Sequence, residues 1–189
     1  MPLEALVTDL HPDLARVLIS PEEIQRRVKE IARALTRDYE GQGSLYLVGI
    51  LKGAFIFLAD LARHLTHPHF VDFMALSSYG KTTVSQGVRI LMDLREPIAG
   101  RHVLIVEDIV DSGNTLAYLR QTLLSRQPAS LKTCVLLRKT RGGAGVEVDY
   151  LGFDIPDVWV VGYGLDYAEA YRTLPFIAEL KPEVYRKGK

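Results

Sequence analysis

Residues 103–115 constrain this chain more than any other stretch. Val103-Leu104-Ile105-Val106 is a continuous apolar run, Glu107 and Asp108 follow it, and Asp111-Ser112-Gly113-Asn114-Thr115 is a turn of small residues. An unbroken apolar run of this length suits a strand buried on both faces, the strand type of parallel sheets covered by helices. Helical spacing from Thr115 to Leu124 makes the turn a strand-to-helix junction. In open α/β sheets ligands bind at the carboxyl ends of the strands. A helix amino terminus placed there offers free N–H groups and a positive dipole end, which suits a phosphate monoester.

The flanking pattern agrees with a mostly parallel central sheet flanked by helices. Ser20-Pro21-Glu22-Glu23 is a capping box with proline at the first helical position, and Ile24, Val28, Ile31 and Leu35 follow at helical spacing to about Tyr39. Strands are expected at Leu45–Leu51, Phe70–Ser77, Val88–Met92, His102–Val106, Leu131–Leu137 and Val158–Val161, and a helix at Ala54–Leu65. Alternating strands and helices predict an α/β fold. With no linker, repeat or low-complexity tract in 189 residues, one domain spanning 1–189 is expected, its terminal segments forming a small cap.

Composition excludes some classes. Lysine plus arginine equals aspartate plus glutamate, so bulk charge does not draw the chain to nucleic acid or an anionic membrane. The one cysteine, Cys134, lies in the apolar run Thr133–Leu137 and reads as a buried packing residue rather than a disulfide or thiolate ligand. Met1-Pro2-Leu3-Glu4 lacks a basic run leading into an apolar one, and no window reaches the ~18 apolar residues needed to cross a bilayer. A cytoplasmic protein is expected. His64, His67 and His69 fall in a helix-to-strand loop and are not expected to hold zinc.

Carboxylates beside an anion site are costly unless they have another task. Glu107 and Asp108 can accept hydrogen bonds from a vicinal diol or hold a magnesium ion. A phosphate turn beside a diol clamp describes a ribose 5-phosphate site, with Asp111 left over as a candidate general base. The turn is not a P-loop, because no Gly-Lys-Ser/Thr follows at the required spacing.

With these residues in view, Val103–Thr115 resembles the phosphoribosyl pyrophosphate motif of type I phosphoribosyltransferases. The resemblance implies that Glu107 and Asp108 bind the ribose hydroxyls. It places the 5-phosphate on Asp111, Ser112, Gly113, Asn114 and Thr115, and makes Asp111 the acceptor of the purine proton. It extends over roughly residues 20–180 and is strongest toward the hypoxanthine-guanine enzymes. By that likeness Leu51, Lys52 and Gly53 form a pyrophosphate loop with a cis peptide before the lysine, and Arg172 contacts pyrophosphate. Ser78 and Tyr79 open a flexible catalytic loop, although an exposed hairpin is the plainer reading of 79–87 without the family. Trp159, where phenylalanine is often found, stacks on the purine and the Val160 backbone meets the base edge. Lys139 donates to a 6-oxo group, which adenine lacks. Magnesium is held by Glu107, Asp108 and Asp166. The implied activity is transfer of a phosphoribosyl group from phosphoribosyl pyrophosphate to hypoxanthine or guanine, in a homo-oligomer (dimer or tetramer). Two alternatives share the fold: an enzyme acting on xanthine, adenine or orotate, and an RNA-binding regulator.

Overall fold

The capping box forms as its spacing predicts. In the computed structural model, which describes residues 11–78, 88–140 and 147–186 (only the backbone of Ser78), helix α1 spans Pro21–Asp38 behind Ser20. Ser20 Oγ accepts from Glu23 N–H at 3.2 Å and Glu23 Oε2 accepts from Ser20 N–H at 2.9 Å. The backbone bond holds the Glu23 carboxyl below its usual range. Ile24, Val28, Ile31, Ala32 and Leu35 turn one stripe of the helix into the core. Replacing Ser20 by alanine removes one side of this reciprocal cap. Chemical denaturation should show a loss of about 1 kcal/mol, and an unchanged midpoint would mean that the cap contributes nothing.

The helix packs on a six-stranded sheet ordered β4-β3-β2-β5-β6-β7, built from β2 (Leu45–Leu51), β3 (His69–Ser78), β4 (Val88–Met92), β5 (His102–Val110), β6 (Ser130–Lys139) and β7 (Tyr150–Ile155). All pairings are parallel except the edge pair β3–β4. Side chains alternate between the faces. Leu45, Leu47, Leu104, Val106, Cys134 and Leu136 join the cluster containing α1 and α2 (Phe55–His64). Tyr46, Val48, Ile50, Val103, Ile105 and Val135 join Leu116, Leu119 and Leu123 of α3 (Asn114–Leu124). Both faces of the central strands are therefore covered, as their apolar runs require. Cys134 is buried, and burial pushes its thiol pKa up, which keeps it an inert packing residue.

A second, antiparallel sheet of three strands, β1-β9-β8, has its own core of Leu14, Val161, Phe176, Ala178 and Leu180. It joins β1 (Leu14–Ile19) to β9 (Ile177–Leu180) and β8 (Val160–Val161), with the short helix α4 (Pro182–Arg186) following. This is the cap formed by terminal segments, completed by an internal strand.

Several expectations need correction. The strand expected at Val158–Val161 shrinks to two residues, and β1, β7, β9 and α4 are additional. The central strand does not stop at Val106; β5 carries Glu107 and Asp108 inside it and ends at Val110. Pairing with β6 continues through Glu107↔Val135 and Val110↔Arg138, and those ladder bonds hold the acidic pair in extended backbone. Of the loop histidines, His67 Nε2 lies 3.0 Å from Gly43 O and His69 Nδ1 lies 2.8 Å from His67 O, so both are engaged by backbone.

Candidate active site

Because β2, β3, β5 and β6 are parallel, their carboxyl ends meet along one edge of the sheet. There β2 delivers Lys52, β3 delivers Ser77 and Ser78, β5 delivers the acidic pair and the turn, and β6 delivers Lys139. A larger cavity of about 710 Å³ opens at the amino ends, beside Gly43, Phe70, Asp72 and Arg101, away from these loops.

Glu107 is buried at 8% exposure, and its Oε2 has no partner among the described residues. Burial, and then the neighbouring Asp108 charge, push its carboxyl well above the usual range. Burial also raises Asp108, although its Oδ1 accepts from Ile109 N–H at 2.9 Å. Two carboxyls this close, Glu107 buried and Asp108 half-buried, cannot both ionise cheaply, and hydrogen-bond donors entering the site would lower that cost. A ribose diol supplies such donors.

The turn after β5 ends at Gly113, the N-cap of α3, whose φ of 79° is a left-handed conformation that glycine adopts without a Cβ penalty. The first helical bond runs from Ala117 N–H to Gly113 O at 2.9 Å, so the amides of residues 114–116 precede the ladder. Ser112 Oγ lies 3.5 Å from Asn114 N, too far to engage that amide well. Asp111, Ser112, Gly113 and Thr115 line a cavity of about 100 Å³ here, small enough to suit a phosphate group.

A second cavity, about 230 Å³, brings Lys139, Trp159 and Val160 together with Asp108, Asp111 and Asp166. Ile109 and Leu165 complete its apolar lining. Trp159 is 45% exposed, so it is not a core residue. Lys139 is largely buried rather than solvent-facing, with its ammonium 3.1 Å from Asp111 Oδ2 and 3.3 Å from Asp157 Oδ1.

The Leu51–Lys52 peptide is cis. Gly53 fits because it lacks a side chain: a Cβ there would lie 1.6 Å from Asp108 Oδ2, and one on Gly164 would lie 2.0 Å from Gly53 O. Arg172 donates through Nη1 to Gly164 O at 2.9 Å and pairs through Nη2 with Asp166 Oδ1 at 2.9 Å. Lys52 and Arg172 share one anion, Glu169 Oε2, at 3.0 and 3.3 Å. Tyr163, Ala168, Glu169 and Tyr171 all have φ between 50° and 71°, so this loop concentrates conformations that non-glycine residues rarely adopt.

The metal set read from sequence is not preformed. Among the described residues no three His, Cys, Asp or Glu side chains converge as a metal cluster. Asp108 and Asp166 line one cavity and Glu107 its neighbour, and Asp166 is engaged by Arg172 and accepts from Glu169 N–H at 2.8 Å. Magnesium nevertheless suits the donors. It is held by few carboxylates, several waters and substrate phosphate oxygens rather than by a protein cage. The donors are all carboxylate oxygens, one of them Glu107 Oε2, which has no partner among the described residues.

Ser77 lines an adjoining cavity of about 190 Å³ with Leu51, Glu107 and Thr115. Tyr79 and the rest of the expected catalytic loop, 79–87, lie outside the described residues. Sequence reasoning missed Ile109, Leu165, Asp157 and Glu169. Ile109 was within reach, because alternation along β5 places it one residue past the acidic pair. Nothing local marks Glu169.

The chain matches the phosphoribosyl transferase domain family over residues 20–168, more than three quarters of its length. The chain belongs to this family. The match begins at the cap of α1 and takes in every cavity-lining residue named above, whereas Glu169 and Arg172 lie just beyond it. This phosphoribosyltransferase is 53% identical over 176 residues to the hypoxanthine-guanine phosphoribosyltransferase of Dictyostelium discoideum, covering 90% of this chain and 98% of that one. It is 50% identical over 175 residues to the enzyme of the same name from Bacillus subtilis, with 92% and 97% covered. Its fold superposes on a solved hypoxanthine phosphoribosyltransferase of Trypanosoma cruzi with a TM-score of 0.89 at 45% identity, covering 94% and 96% of the two chains. A variant of that enzyme solved with the product IMP gives 0.87 at 44% identity over the same shares.

Proposed function

We propose that this phosphoribosyltransferase moves the 5-phosphoribosyl group of phosphoribosyl pyrophosphate onto hypoxanthine or guanine, giving IMP or GMP and pyrophosphate. The observation that carries the reading is the convergence, at one edge of the sheet, of a phosphate-sized turn, an acidic pair whose Glu107 is buried, and a Lys139–Trp159 cavity. The names of the relatives support it. The reading takes residues 1–189 as one domain that works in the cytoplasm as a homo-oligomer (dimer or tetramer). Among the described residues no helix is long and apolar enough to cross a membrane.

Transfer breaks the bond from ribose C1 to a pyrophosphate oxygen and forms one to a purine ring nitrogen, which gives up its proton. The α3 amino terminus, Ser112 and Thr115 hold the 5-phosphate, and Glu107 and Asp108 accept from the ribose hydroxyls. Trp159 stacks on the base, the Val160 backbone meets its edge, and Lys139 donates to the 6-oxo group. Adenine presents a donor at that position and leaves the ammonium unanswered. Asp111, lining the same cavity as Lys139, takes the purine proton. Lys52 and Arg172 neutralise the departing pyrophosphate. Glu107, Asp108 and Asp166 would hold a magnesium ion, which would supply positive charge at the leaving group.

A spectrophotometric assay with hypoxanthine, guanine, xanthine and adenine, each with and without magnesium, tests the reading. Turnover should need magnesium and a 6-oxopurine. Adenine turned over as well as hypoxanthine would refute the role given to Lys139.

A further inference from the structure

Trp159 is the chain's single tryptophan, and its surroundings divide its surface sharply. One ring of α4, Tyr185, stacks on it at 5.3 Å with 23° between the planes. Tyr167 meets it edge-on, at 5.6 Å and 88°. Trp159 lines the cavity that holds Lys139 and Asp111, while neither tyrosine does. The two phenols therefore back the indole from outside the cavity and leave the rest of its surface, still 45% exposed, for whatever enters.

The backbone tightens the same arrangement. Leu180 N–H donates to Trp159 O at 2.9 Å, so ring and main chain of Trp159 both rest on the segment leading into α4. That segment is pinned in turn. Lys181 N–H donates to Asp13 O at 2.8 Å, Val184 N–H donates to Lys181 O at 3.0 Å, and Val184 and Tyr185 pack against the cap core. An indole this exposed would otherwise sample several rotamers and lose that freedom only on binding.

We propose that Tyr185 is a positioning residue for the purine: it fixes the plane of Trp159, so that the base adds a third layer to a preformed tyrosine–tryptophan stack. The proposal rests on the function argued above. It concerns a residue beyond the cavity, on the C-terminal helix, that acts on the base through Trp159 alone. Offset aromatic pairs carry stabilisation beyond the area they bury, and a ring already held in place passes that benefit to the next layer.

The test uses the full chain with Y185L, which keeps apolar docking of α4 but removes the flat face, Y185A, and Y185F. In Y185L and Y185A the KM for hypoxanthine should rise about three- to tenfold, with the KM for phosphoribosyl pyrophosphate held within about twofold. Y185F should restore the hypoxanthine KM. Because Trp159 is the only tryptophan, its fluorescence reports the indole directly: acrylamide quenching should increase in Y185L and Y185A and return in Y185F. Unchanged hypoxanthine KM in variants with a loosened indole overturns the proposal. So does an equal rise for both substrates, which marks a merely structural loss, and so does Y185F behaving like Y185A. If the unsubstituted chain turned over no base, yet hypoxanthine quenched Trp159 and did so more weakly in Y185L, the reaction assigned above would fail and the stacking role would stand.

Discussion

Replacing Asp111 by alanine should lower kcat by about 10²- to 10⁴-fold, the usual effect of losing a positioned proton acceptor. That range corresponds to roughly 3–5 kcal/mol of barrier. The expectation follows from where Asp111 sits. It is the first residue after β5, with a side chain 67% exposed, and it lines the cavity of Lys139 and Trp159 as well as the phosphate turn. The exposed carboxylate packs against no core, so stability should change by no more than about 0.5 kcal/mol. Lys139 loses one partner but keeps Asp157 at 3.3 Å, so its ammonium stays anchored. Phosphoribosyl pyrophosphate should still bind, because the helix amides and the acidic pair remain. Steady-state kinetics together with equilibrium binding separate these effects. Asp111→Asn, nearly isosteric yet unable to take a proton, should fail as alanine does. Wild-type kcat in either variant would remove Asp111 from the chemistry.

The parts legible in the sequence were those whose physics is local. The capping box at Ser20 and the apolar spacing of Ile24, Val28, Ile31 and Leu35 place α1 within a residue at each end. The runs Leu45–Ile50 and Val103–Val106 are buried on both faces, as strands of a covered parallel sheet require. The elements that were missed depend on distant partners. In β7, Tyr150–Ile155 contains a glycine and an aspartate and carries weak strand signal. Yet Gly152 is what lets it close on β6, since a Cβ there would meet Leu136 O at 2.3 Å. β1 exists because β9, about 160 residues later, pairs with it; Arg16 and Glu179 join across that gap at 2.8 Å.

The same division runs through the site. The turn at Asp111–Thr115 announces itself, because small residues and a glycine directly after a buried strand leave few other uses. Glu107 and Asp108 were placed past the strand, since acidic residues rarely sit in buried strands. Ladder pairing with Val135 and its neighbours holds them inside it, and that placement produces the raised carboxyls. Lys139 alone looks like a solvated charge, and only the fold shows it sheathed by two carboxylates. Glu169 and Tyr185 give no sequence signal at all. Their meaning lies in Lys52 and Trp159, 117 and 26 residues away respectively.

Gly53→Ala should be nearly as damaging as loss of Asp111, by a different route. The new Cβ would fall 1.6 Å from Asp108 Oδ2 and 2.4 Å from its Cγ. A flexible surface side chain would swing away at little cost, but Asp108 is not one: it is half-buried beside buried Glu107, and its Oδ1 is tied to Ile109 N–H at 2.9 Å. Backbone relief is closed on the other side, where Gly53 O already sits so near Gly164 that a Cβ on that glycine would reach it. Either Asp108 turns out of the position proposed for it against the ribose, or the Lys52 loop retreats from the proposed pyrophosphate site. Overpacking of this kind costs about 1–3 kcal/mol of stability. A displacement near 1 Å among positioning groups costs on the order of 10²-fold in rate. The kcat/KM for phosphoribosyl pyrophosphate should therefore fall about a hundredfold, with a lowered melting temperature and with the hypoxanthine contacts of Trp159 and Lys139 undisturbed. If G53A kept the wild-type kcat/KM, the contact between the β2–α2 loop and Asp108 would not be what sets the donor site.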